Sequence, residues 1–126
     1  MKKEVISTDK APKAIGPYSQ AVRCGDTVYC SGQIALHPET MGLIGQSAAV
    51  QAKQVMQNLG EVLKAAGSDY SKALRCTIYL KNMADFAEVN EMYGSFFPEN
   101  PPARATVEVG CLPKDALVEI DCIAHI

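Results

Sequence analysis

The sequence of 126 residues has no surplus of positive charge: 12 Lys and Arg stand against 14 Asp and Glu, a formal net charge of −2. Without a basic field to attract a phosphate backbone, nucleic acid is not an expected partner. No apolar run approaches the roughly 20 residues of a membrane span, and the opening MKKEVISTDKAPKAIG is charged without an apolar segment, so neither export nor membrane insertion is expected. CxxC pairs are missing too. The five cysteines, Cys24, Cys30, Cys76, Cys111 and Cys122, are odd in number and mostly fall in strand-like runs, where a free thiol acts as a small hydrophobe. A reducing, cytoplasmic setting fits that usage. There is no glycine loop to cradle phosphate, and the one ligand-like spacing, Cys122 and His125 with Cys111, Cys30 and His37 as completions, places its two lead residues on opposite faces of one strand. No metal and no organic cofactor are expected. A cysteine nucleophile has no histidine set beside it by the pattern.

What is present is alternation. The length suits one domain, residues 1–126, with a single core. Lys3 to Ser7 reads as a short edge strand, and Thr8 to Pro17, with two prolines and a glycine, as an ordered loop delivering Tyr18. Ser19 to Cys24 and Thr27 to Ile34 read as strands joined through Gly25-Asp26. After a loop at His37 to Gly45, a helix starts at an N-cap Ser47 with a stripe of Ala52, Met56, Leu59, Leu63 and Ala66, and Gly67 ends it. Ala73 to Leu80 alternates as a strand. A second helix runs from about Met83 to Phe97 with Phe86, Val89, Tyr93 and Phe96 on its buried stripe and Pro98 as its stop. Right-handed crossovers would carry both helices on one face of the sheet, leaving the other to solvent or to another chain. Tyr79, Leu117 and Ile123, mixed with Thr77, Arg104 and Glu119, make that face too apolar for solvent and too polar for a core, as a subunit interface would be.

The chain is organised around PPARATVEVGCLPKDALVE, Pro101 to Glu119. Ala103, Ala105, Val107 and Val109 alternate with Arg104, Thr106 and Glu108, a strand. Ala116, Val118, Ile120, Cys122 and Ala124 form the apolar row of a returning strand, with Glu119 on its other face. If Gly110 to Asp115 closes a hairpin, Thr106 lies opposite Glu119 and Arg104 is its diagonal neighbour on one surface. The plainest account of such a pair is a cross-strand salt bridge on a solvated face. Against it stand Leu117 and Ile123 on the same face, and an arginine flanked by alanines on a stiff diproline entry, suited to clamping a carboxylate.

IGPYSQ (Ile15 to Gln20), SGQI (Ser31 to Ile34), Val89-Asn90, PPARATVEV (Pro101 to Val109) and LPKDALVEID (Leu112 to Asp121) together resemble the RidA/YjgF family over nearly the whole chain and in the family's order. The resemblance implies an α+β, chorismate-mutase-like fold, a six-stranded mixed sheet with two helices on one face. It also implies a homotrimer with sites in clefts between subunits, and a cytosolic deaminase of 2-iminopropanoate and 2-iminobutanoate, tautomers of enamines released by pyridoxal-phosphate dehydratases. By position, Arg104 matches the carboxylate-binding arginine and Glu119 the acid that positions the attacking water. Tyr18, Ser31, Gly32 and Asn90 match the other pocket positions. Thr106, where some members have cysteine, would contribute its backbone carbonyl.

The chemistry agrees with that set. A 2-imino acid carries a carboxylate beside an electrophilic C=N carbon, so its hydrolysis needs an anion clamp, a placed water and proton routes. On the residues alone, Tyr18 also reads as packing with its hydroxyl at the surface, Ser31 as a strand hydroxyl and Asn90 as a helix-surface amide. Two other classes remain: a non-catalytic carboxylate-binding regulatory module, which ammonia release would exclude, and an RNA-directed or chaperone-like protein, which salt-dependent RNA binding would reveal.

Overall fold

The computed structural model describes all 126 residues. Six strands, β1 (Lys3–Ile6), β2 (Ala21–Cys24), β3 (Thr27–Gln33), β4 (Ala73–Leu80), β5 (Ala103–Glu108) and β6 (Val118–His125), and two α-helices, α1 (Ala48–Ala65) and α2 (Phe86–Gly94), follow the order βββαβαββ. The helices form where capping and spacing place them. The Ser47 side chain accepts a hydrogen bond from the Val50 N–H, and Gly67 takes φ +86° just past the C-cap, the left-handed conformation that closes a helix with least strain in glycine. The second helix begins as a 3₁₀ turn, Met83–Asp85, before becoming α-helical.

The strands form one sheet in the order β1-β2-β3-β6-β4-β5; every pairing is antiparallel except β4 with β5. On one face α1 packs over β3 and β6 with α2 beside it. Val55, Met56, Leu59, Val62 and Leu63 of α1 meet Ile78, Leu80, Val118 and Ile120 of the sheet with almost no exposure, each worth about 1.5–3 kcal/mol of burial. The other face has no helix and exposes Val5, Tyr29 and Val107 at 64%, 49% and 42%.

The expected hairpin between the last two strands does not form. β4 lies between them, with Cys76, Ile78 and Leu80 buried. Gly110 to Asp115 steps over the end of β4: the Val109 N–H donates to Leu80 O at 2.8 Å, the Lys81 N–H donates to Leu117 O at 3.1 Å, and Lys81 pairs with Asp115. The reason lies in the inward rows. That of β6 is wholly apolar and suits a central strand, whereas that of β5 carries Arg104, Thr106 and Glu108, which an edge tolerates. The face is corrected as well: Arg104 is in register with Cys76 and Thr106 with Ile78, both core residues, so this polar row lies on the helix side. Ala105 and Val107 share the open face with Tyr79, Glu119 and Ile123. Leu117 does not stand there; it precedes β6 and packs against the core from the loop.

One buried polar contact places the wall of the later site. Asn58 on α1, 1% exposed, donates from Nδ2 to Ile34 O at 3.3 Å and Leu36 O at 3.0 Å, holding the segment that leaves β3. Asn58→Ala strands the Leu36 carbonyl in an apolar setting, while Ile34 O keeps the Leu36 N–H at 2.8 Å, and is expected to cost about 1–3 kcal/mol, read as a lowered urea midpoint at fixed chain concentration.

Candidate functional site

Glu119 sits where β3 bulges. Between Cys30↔Cys122 and Gln33↔Ile120 the register gains one residue on β3, which throws Ser31 and Gly32 out of the ladder. The Glu119 side chain lies directly on Gly32: a Cβ there would meet the carboxylate, 2.9 Å from its Cδ and 3.1 Å from its Cγ. Glycine at 32 thus matters through this approach, not through backbone conformation: a side chain there would push the Glu119 carboxylate aside. Burial raises the Glu119 carboxyl above its ordinary pKa, and the Asp121 carboxylate two residues on adds to the rise. Asp121 is itself committed, accepting from Tyr79 Oη at 3.0 Å and the Thr77 N–H at 3.2 Å. A half-buried carboxyl with a raised pKa suits proton transfer near neutrality.

In front of Glu119 opens a cleft of about 390 Å³ whose wall includes Tyr18, Gly32, Ile34, Met41 and Lys114. Tyr18 reaches it from a turn at Gly16, φ +118°, where the Tyr18 N–H donates to Gly16 O at 2.9 Å. The loop before it is tied down by Gln20, 4% exposed, which accepts from the Thr8 N–H at 2.7 Å and donates to Pro12 O at 2.7 Å. Ser31 does not line the cleft. Its hydroxyl donates to Ser19 O at 2.6 Å and its N–H to Gln20 O at 2.9 Å, so it joins the Tyr18 segment to β3.

Arg104 belongs to a second cluster on β5 and α2. Its Nη1 donates to Asn90 Oδ1 at 2.6 Å, and its guanidinium carbon lies 5.2 Å from the Tyr93 ring centre and 5.7 Å from that of Phe86, within cation–π range. Thr106 follows on the same side, its Oγ1 buried without a partner. Arg104 is in register with Cys76 and Glu119 with Tyr79. Two strand spacings and three residues thus separate Arg104 from Glu119, roughly 14 Å between Cα atoms. They also point to opposite faces. The structure therefore brings Glu119, Gly32 and Tyr18 together, brings Arg104 and Asn90 together, and does not join the two groups within one chain. No Arg104–Glu119 salt bridge exists.

The cysteines Cys30, Cys76 and Cys122 form a buried row across β3, β6 and β4; burial foremost pushes the Cys30 thiol up to about 12, far from a nucleophile's range. No three His, Cys, Asp or Glu side chains converge as metal ligands would, and no helix is long and apolar enough to cross a membrane. The sequence reading missed Lys13 and Lys114 in the cleft wall and the two rings over Arg104. The rings had a legible signal, since Phe86, Asn90 and Tyr93 are spaced 4 and 3 on one helical stripe. Lys114 had none: it enters on a left-handed backbone, φ 56°, that its residue type does not announce.

Compared with known proteins, residues 8–126 match the family model described as Endoribonuclease L-PSP. The human 2-iminobutanoate/2-iminopropanoate deaminase is 48% identical over 122 residues, 97% of this chain and 89% of that one. The chain belongs to the RidA/YjgF family. The Reactive Intermediate Deaminase A of Arabidopsis thaliana, a chloroplastic protein, is 50% identical over 98% of this chain and 66% of its own length. The crystal structure of RidA from the Antarctic bacterium Psychrobacter superposes with a TM-score of 0.94 at 44% identity, covering 98% of this chain and 99% of that one. The α+β sheet expected from the motifs is thus the RidA/YjgF fold, with both helices on one face.

The raised Glu119 carboxyl makes a signed prediction. A group that holds its proton more tightly when folded contributes its full stability in acid and loses it as pH rises through the unfolded value towards the folded one. Glu119→Gln removes that loss. It is expected to unfold at higher denaturant than the unsubstituted protein at neutral pH, with the difference vanishing below the ordinary carboxylate pKa. A difference that persists in acid would point to packing instead.

Proposed function

We propose that this chain is a deaminase that hydrolyses 2-imino acids, 2-iminopropanoate and 2-iminobutanoate with enamine tautomers such as 2-aminoacrylate, to 2-oxo acids and ammonia. The observation that carries the reading is the pair of built but separated half-sites. One is a cationic fork open to a carboxylate, the other a carboxyl of raised pKa in a cleft. On opposite faces and two strands apart, they serve one small substrate only if a second copy brings its own half. The open face, apolar at Val5, Tyr29 and Val107 and polar around Asp121 and Glu119, suits such a contact. We therefore place the site between subunits of a homotrimer. A relative named 2-iminobutanoate/2-iminopropanoate deaminase at 48% identity and one named Reactive Intermediate Deaminase A at 50% support the reaction class.

In this reading Arg104 binds the substrate carboxylate through its planar fork and fixes where the imine carbon stands. Glu119 of the adjoining subunit accepts a proton from water as the oxygen adds to that carbon, and returns it to the nitrogen as the C=N double bond becomes single. Ionised again, Glu119 takes the carbinolamine's hydroxyl proton and passes it to the nitrogen as the C=O bond forms. The C–N bond breaks, leaving the 2-oxo acid and ammonia. Tyr18 walls the pocket, Gly32 leaves room for the Glu119 carboxyl against β3, and the Thr106 carbonyl serves as an acceptor. No step calls for a metal or organic cofactor. The consequence in a cell would be protection of pyridoxal-phosphate enzymes from the enamine. A nuclease reading, which the family model's description raises, finds no basic field in a chain of net charge −2.

Arg104→Lys keeps the charge but loses the planar fork, and is expected to lower kcat/KM about a hundredfold or more. Glu119→Gln is expected to lower kcat on the order of a hundredfold or more while a stable 2-oxo acid still binds. Imine hydrolysis, with a dehydratase generating the imine in place, and oxo-acid affinity measure both. Near-normal turnover in Arg104→Lys, or oxo-acid binding lost in Glu119→Gln as fully as in Arg104→Ala, would contradict the roles. Sedimentation equilibrium at micromolar concentration is expected to give three chains of 13.5 kDa; a mass near one chain would remove the shared site.

A further inference from the structure

The Arg104 cluster is more ordered than an exposed arginine needs. A guanidinium on a long, flexible stem loses rotamer freedom when held in one place, and an edge strand alone gives no reason to hold it. Three side chains of one helix do so. Phe86, Asn90 and Tyr93, at i, i+4 and i+7, form a single stripe of α2 facing β5. The two rings lie 5.7 and 5.2 Å from the guanidinium carbon, and the amide oxygen takes Nη1 at 2.6 Å. Arg104 has no other hydrogen bond or ion pair in the chain, so Nε and Nη2 have no partner. The more buried ring is anchored in turn. Tyr93, 4% exposed, packs on Phe97 at 4.9 Å between ring centres, Phe97 on Tyr70 at 5.2 Å, and Tyr70 donates to Met56 O on α1. The grip on Arg104 runs back into the core.

We propose that Phe86, Asn90 and Tyr93 are positioning residues for Arg104, fixing its guanidinium so that the Nε–Nη2 edge, the one left wholly free, is offered to the substrate carboxylate. This rests on the reading of Arg104 as a carboxylate clamp, and it moves Asn90 from contacting the substrate to aiming the residue that does. The chemistry of each contact fits the task. An aromatic face attracts the cation without using any of its N–H groups. A neutral amide occupies one nitrogen without cancelling the charge, as a carboxylate in its place would. The Tyr93 hydroxyl is no part of the device: it is buried beside the Cys76 thiol and makes no hydrogen bond to Arg104, so only the ring acts on the guanidinium.

The test is the affinity for 2-oxobutanoate, with kcat and KM for imine hydrolysis, in four variants checked for native assembly. Tyr93→Phe keeps the ring and is expected to match the unsubstituted protein. Phe86→Leu and Tyr93→Leu keep apolar bulk without the ring, and are expected to raise Kd and KM about fivefold, the loss of one ring–cation contact at an exposed guanidinium, with kcat less affected. Asn90→Asp, nearly isosteric, is expected to weaken 2-oxobutanoate binding at least as much, because the new carboxylate competes for the guanidinium. A merely structural stripe would leave that affinity unmoved in a folded Asn90→Asp protein. Kd within about twofold in both Phe86→Leu and Asn90→Asp, or Tyr93→Phe as damaging as Tyr93→Leu, overturns the proposal. Phe86 and Asn90 are only half-buried, so these two decide the matter if Tyr93→Leu does not fold. A protein that binds 2-oxobutanoate through Arg104 yet releases no ammonia ends the deaminase reading, and the same four affinities still decide the positioning proposal.

Discussion

A strand whose core-facing row reads Arg104, Thr106, Glu108 cannot occupy the middle of a helix-covered sheet, because each central position there is sealed from water and a charge in it would go unpaired. The order of the sheet follows from this constraint. With β5 confined to an edge, the fully apolar rows of β4 and β6 take the centre, side by side, and the connection from β5 to β6 must pass over β4 instead of closing a hairpin. The same constraint provides the chemistry. At the edge, the inward row meets α2 and solvent instead of the core, so Arg104 is ordered by one and open to the other.

That arrangement also separates the two charges that the proposed reaction uses. In a hairpin, Arg104 and Glu119 would have been near neighbours, and each would have satisfied the other: the guanidinium fork would be occupied and the carboxyl pulled below its ordinary pKa. Two strands apart and on opposite faces, neither happens. Glu119 is raised by burial and by Asp121 with no cation among the causes, while Arg104 bonds a neutral amide. In the proposed assembly, two chains bring together halves that do not neutralise one another beforehand.

Much of this was legible in the sequence, for identifiable reasons. The helix stripes, the Ser47 cap, the Gly67 stop and the alternation of Ala73 to Leu80 are local, and local rules place them to within a few residues. The five motifs carried the family and hence the fold. Strand order was not local. Alternation says which residues of a strand share a face, but not which face of the sheet that is, nor which strand lies alongside; Gly110 to Asp115 is as compatible with a hairpin as with a step over one strand. The sequence reading of Arg104 and Glu119 as one surface failed there; each residue stands instead in a cluster of its own. Ser31 shows a related limit, since a hydroxyl aimed at a pocket and one bonded to Ser19 O differ only in a rotamer and a neighbour twelve residues away.

Gly32 shows how closely the two scales are joined. Its lack of a side chain is a local fact, but what it accommodates is the Glu119 carboxylate, 87 residues further along the chain, brought there by the antiparallel pairing of β3 with β6. The bulge that displaces Ser31 and Gly32 gives Glu119 its opening, and the pairing that creates the bulge exists because β6, not β5, is central. The step from strand composition to sheet order therefore reaches the reacting groups. An apolar β6 draws β3 alongside, the bulge in β3 exposes the carboxyl, and a polar β5, displaced to the edge, presents the arginine that a neighbouring copy of the chain would need.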